Sequence, residues 1–144
     1  MAREAAAGRN PQNYGRLSSP MCWDAVKLCG VEAGAVGRNV DAQSGLVSPT
    51  DDRIANSAAM ARLPAGHAVG FFDDGRLAHV MLSVGDGHAC GNKNSCIGVG
   101  EMVGWESHDL KALQWNAAGG ITAPGLGRGG LTRTLEVRSR PLGT

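Results

Sequence analysis

Aromatic side chains are scarce in this chain: three Trp, two Phe and one Tyr make up 4% of 144 residues. A core built from it must draw on Val, Leu, Ile, Met and Ala. Long apolar runs are missing too. No stretch approaches the roughly 18 residues a membrane-spanning helix needs, so no membrane partner is expected. The opening MAREAAAGRNPQNYG lacks an apolar h-region and does not read as a secretory signal peptide. Residues 1–13 read as a polar lead-in to a single domain spanning 1–144. Neither sign of charge dominates: 14 Lys and Arg stand against 13 Asp and Glu, for a net charge of +1. The basic residues are scattered, without the stripe of a nucleic-acid binder, so no nucleic acid is expected either.

The four cysteines, Cys22, Cys29, Cys90 and Cys96, form no C-x-x-C pair and no paired Cys/His run. No metal site is expected from them. An oxidising compartment would allow Cys90 to pair with Cys96, although connectivity is not readable from spacing. What the chain has in quantity is glycine, 22 residues, which signals many tight turns.

Pro20 bars a helix from running in from upstream, and CWDAVKLCG then places Cys22, Ala25, Val26 and Cys29 at helical spacing. Asp24 suits the first turn and Gly30 is a stop signal. A second helix is expected over 51–62, capped by Thr50 or Asp51, with Ile54, Ala58 and Ala61 on one face. From Ala68 the pattern turns to strands. AVGFF is followed by a DDG turn at 73–75, LAHVMLSV covers 77–84, and HACGNKN returns over 88–94 as a hairpin partner. Residues 97–106 read as a loop containing Trp105, 107–115 as a short helix capped by Ser107, 117–130 as a Gly-rich loop, and 131–137 as a final strand. Helices first and an antiparallel meander after them describe an α+β domain.

Two residues stand out chemically. Cys22 sits at a helix start, where unpaired N–H groups and the helix dipole favour the reactive thiolate. The bland alternative is a buried, inert thiol, which is the reading kept for Cys29. A nucleophilic Cys needs a base, and His79 is the best candidate of the four histidines, because a polar group inside an apolar strand must be satisfied by something. The bland alternative is a half-exposed strand histidine. His67, His88 and His108 read as surface residues. A third group would orient the imidazole. If Asp86 and Gly87 form the turn, Gly85 faces His88, and counting back sets His79 across from Asn94. A three-residue turn would leave Asn92 and Asn94 as diagonal neighbours. Trp105 is read either as a core residue or as lining a substrate groove.

The run LPAGHAVGFFDDGRLAHVMLSVGDG, residues 63–87, resembles the core motif of the NlpC-type cell-wall peptidases of the papain-like superfamily. That motif has a Pro-Gly-Asp turn, a strand ending in Phe-Phe, and a strand opening with His-Val that closes on a Gly-Asp-Gly turn. Cys22-Trp23-Asp24-Ala25-Val26 is similar to the family's nucleophile motif, and the Cys22-Trp23 pair is similar to that of papain. The departures are His67 for Asp, Trp23 for Ser, and Gly91 where the third polar residue falls, so Asn92 or Asn94 must substitute.

The resemblance covers about residues 14–94. It implies a papain-like (NlpC-type) fold, with N-terminal helices packed on an antiparallel meander. It also implies an amide hydrolase with Cys22 as nucleophile and His79 as base, with Tyr14 and Trp23 near the substrate and no cofactor. The implied substrate is a peptidoglycan stem peptide. The expected context is a monomeric antibacterial effector, secreted or delivered into a target cell by a signal-peptide-independent route and met by a cognate immunity protein. Two alternatives stay open. One is a toxin domain that deamidates, transamidates or cleaves a target-cell protein. The other is an inactive binding module.

Overall fold

The computed structural model describes residues 22–41, 45–92, 105–123 and 132–143. Within these, the side chains of Cys22, Asn92, Trp105 and Glu106 are outside the description, as are Tyr14 and Asn94 altogether.

Helix α1 (Cys22–Glu32) begins where the sequence expects. It does not stop at Gly30. That glycine lies inside the helix, where a methyl would meet Val36 Cγ2 at 2.8 Å, and the chain turns away at Gly34 with φ +73°. The next three elements show how non-local pairing overrides local pattern. The helix expected over 51–62 is split into strand β1 (Asp52–Ile54) and a short helix α2 (Ser57–Arg62). Ile54 is buried, and β1 gives its backbone to the final strand through Asp52↔Ser139 and Ile54↔Val137. Neither Thr50 nor Asp51 caps α2; Asn56 does, accepting a hydrogen bond from the Ala59 N–H at 2.8 Å.

Strands β2 (His67–Asp73) and β3 (Arg76–Gly85) form the expected hairpin, followed by β4 (His88–Asn92). Both connections are Asp-Gly pairs with positive φ, Asp74 and Gly75 in the first, Asp86 and Gly87 in the second. This is the turn geometry that matches the twist of two paired strands. The helix expected over 107–115 is instead strand β5 (Trp105–Asp109) and a single 3-10 turn (Leu110–Ala112) capped by Asp109. Pairing with β5 covers what would otherwise be the open edge of β4. Strand β6 (Ile121–Ala123) lies within the expected Gly-rich loop, and β7 (Arg133–Pro141) closes the order.

The sheet runs β1-β7-β2-β3-β4-β5, with β6 also pairing β7, and every one of these pairings is antiparallel. Each face carries its own apolar layer. On one face, Ala25, Val26 and Cys29 of α1 pack with Leu46, Val47, Phe72, Val80, Leu82 and Cys90. On the other, Ile54 and Met60 pack with Phe71, Met81, Ala89, Leu110, Leu135 and Val137. The expected α+β, papain-like architecture of helices packed on a meander is therefore corrected. Among the described residues this is a seven-stranded antiparallel sheet with two short helices, of which α1 covers one face. Neither of these helices is long and apolar enough to cross a membrane.

Ser83 ties the end of β3 to the turn before β2. Its buried hydroxyl donates to the Pro64 carbonyl at 2.6 Å and accepts from the His67 N–H at 2.9 Å. Ser83→Ala leaves both backbone groups without that partner. It should lower unfolding free energy by about 1–3 kcal/mol, read as a lower midpoint in urea at unchanged slope.

Candidate functional site

Cys22 is the first residue of α1, and the direction of that helix decides where it lies. A methyl at Gly30, near the helix C-terminus, would sit 3.5 Å from Leu142 Cδ1. The Leu142 N–H bonds the Gly66 carbonyl, and the Gly66 N–H bonds the Ser83 carbonyl, both at 2.9 Å. The last turn of α1 is thus anchored at the end of the sheet where β3 finishes. A helix of 11 residues is about 16 Å long, and its first residue is carried away from that end. The opposite end is where β3 starts and β4 stops. There Asn92 and Trp105 are directly paired across β4 and β5.

His79 sits near that same end, but its ring faces the other way. It pairs directly with Phe71, and the two rings stack with centroids 6.0 Å apart. Phe71 belongs to the apolar layer opposite α1, whereas Val80 and Leu82, the residues α1 packs on, point to the helix side. The imidazole is fully buried. Loss of hydration, with a smaller contribution from the charge of His108, lowers its pKa from 6.5 to about 3. The expected half-exposed alternative does not hold. Asn92 and Trp105 lie at the strand end near His79, whereas the His79 ring does not face the helix side of the sheet, and the side chain of Cys22 is outside the description.

The count that set Asn94 across from His79 ends on a residue outside the described ones. Gly85 does face His88, as expected, but the ladder resumes at Ser83↔Ala89, leaving Val84 as an extra residue. The frame beyond that bulge is displaced by one. Trp23 is half-buried and packs on the apolar layer beneath α1. Cys29 is a core residue as expected, and Cys90 is a buried thiol in the same layer; Cys96 lies outside the described residues. Among the described residues no cluster of three His, Cys, Asp or Glu side chains could hold a metal ion.

Two open cavities lie on strand ends of the sheet. One, of about 390 Å³, is lined by Val84, Asp86, His88 and Ser107. There His88 Nδ1 is 3.0 Å from the Asp86 carbonyl and Lys111 bonds the same oxygen at 2.6 Å. The other, of about 440 Å³, is bounded by Val47, Ser48, Pro49, Phe72, Gly75, Arg76 and Leu77. Its apolar residues Val47, Phe72 and Leu77 belong to the α1 layer, and it lies at the end where β3 starts. Sequence reading passes over Arg76, since a residue following Asp-Asp-Gly carries only the signal of a turn. Comparison of the chain with family models, with curated proteins and with solved structures finds no match.

Burial of neutral His79 makes stability pH-dependent. Above pH 6.5 the ring is neutral in both folded and unfolded chains, and its contribution is fully present. Between pH 6.5 and about 3 the unfolded chain takes up a proton that the folded one refuses, so stability is lost on acidification. At about 1.4 kcal/mol per pH unit, the loss from this group at pH 5 is on the order of 2 kcal/mol. In urea titrations from pH 7 to pH 4, His79→Leu should flatten the decline by about that amount at pH 5; an unchanged slope would refute the assignment.

Proposed function

We propose that the chain is a cysteine-dependent amide hydrolase acting on a peptidoglycan stem peptide, with Cys22 as nucleophile. The observation that carries the reading is the placement of Cys22 as the first residue of α1, on a helix anchored by its opposite end. That terminus favours a thiolate through the helix dipole. The resemblance of residues 63–87 to the NlpC-type motif supports the choice of substrate.

The thiolate attacks the amide carbonyl to give a tetrahedral oxyanion, toward which the Cys22 backbone N–H contributes. Collapse forms a thioester as the C–N bond breaks, and the departing amine takes a proton. Water then attacks the thioester, releasing the acid and the thiol. The resemblance gives the moving of these protons to His79. Its ring packs on Phe71 in the layer opposite α1, and burial favours its neutral form.

That same burial favours a second reading, a binding module without turnover, in which Cys22 is unreactive and His79 is a core residue. Digestion of purified sacculi separates the two. The hydrolase reading expects new peptide fragments from the wild type and none from a folded Cys22→Ala variant, with His79→Gln reduced by at least about 100-fold if it is the base. Sacculi left intact by the wild type would support the binding module.

A further inference from the structure

We propose that the cleft between residues 47–49 and the start of β3 is the substrate's carboxylate site, with Arg76 as the group that selects a free acid. The inference deepens the hydrolase reading and rests on it for the substrate class, though not for its test. The cleft lies on the sheet face that α1 packs on, at the end where β3 starts.

Its chemistry is divided. Val47, Phe72 and Leu77 offer an apolar floor continuous with the α1 layer, and Arg76 stands exposed at the rim. The neighbouring acid that would most readily take that guanidinium is already engaged. Asp73, the direct cross-strand partner of Arg76, is bonded by Arg133 Nη1 at 2.8 Å. The sheet arginines Arg53, Arg138 and Arg140 reach backbone carbonyls or carboxylates elsewhere, whereas among the described residues no ion pair engages Arg76.

A guanidinium fork at the rim of an apolar hollow fits a carboxylate attached to a short aliphatic side chain or peptide end. It can hold both oxygens through parallel N–H donors, which a primary amide cannot match. A stem peptide cut beside a residue with a free carboxyl group has this combination. Arg76 would act as a specificity residue, touching the substrate away from the reacting carbonyl.

The test is equilibrium binding, by calorimetry or NMR titration, of a purified muropeptide stem tetrapeptide as the free acid and as its carboxamide. The proposal expects the wild type to bind the acid about 10- to 100-fold more tightly, the range a charge-assisted hydrogen bond supplies. Arg76→Gln should abolish that preference while leaving the amide's affinity unchanged, and Arg76→Lys should restore part of it. Equal binding of acid and amide, no binding of either, or a preference that survives Arg76→Gln would overturn it. An Arg76-dependent preference without any cleavage of sacculi would leave the cleft standing and remove the hydrolase reading. Cleavage of sacculi without the preference would do the reverse.

Discussion

The alternation of side chains along β2 and β3 is the constraint from which the rest of the structure follows. Both strands are buried on both faces, so each residue is assigned to one of two apolar layers: Val80 and Leu82 to the layer under α1, His79 and Met81 to the layer opposite. A shift of one residue would exchange the two sets. Two Asp-Gly turns hold the frame, and two bulges adjust it. The first leaves Ala78 extra between Phe71↔His79 and Phe72↔Leu77; the second leaves Val84 extra. The burial of His79, its neutrality and its separation from the helix face are all consequences of this frame.

On the helix side, two segments share the sheet. Helix α1 lies over β3 and β4, and Leu46 and Val47 of the segment 45–51 pack in the same layer. Arg140 holds the second segment by bonding the Gly45 and Leu46 carbonyls, and Arg138 bonds the Asp51 carbonyl. These arginines of β7 therefore fix the wall of the cleft that Arg76 borders, while their neighbour Arg133 neutralises Asp73. The cleft exists because charged side chains on one strand position a loop that has no regular structure of its own.

The turns and the central hairpin were legible because their signals are local. Asp-Gly at 74–75 and 86–87 requires no knowledge of the rest of the chain. The start of α1 was legible for the same reason, through Pro20 and the spacing of Ala25, Val26 and Cys29. Residues 51–62 and 107–115 misled because a short apolar recurrence fits a helix in isolation, while the partners that make strands of Asp52–Ile54 and Trp105–Asp109 lie far away, on β7 and β4. Bulges have no comparable signature, and so the face of His79 could not be counted out. Arg76 was hidden likewise, since its cleft is completed by residues about thirty positions upstream.

The reactivity of Cys22 is the most direct test of the account. Iodoacetamide labelling of the native protein across pH 5–10, mapped by mass spectrometry, reads the thiolate fraction at each cysteine separately. The account predicts that Cys22 labels rapidly at neutral pH, with a midpoint well below the roughly 8.5 of an ordinary thiol, while the buried Cys29 and Cys90 stay protected. A Cys22 that labels no faster than the same residue in the urea-unfolded chain would contradict it.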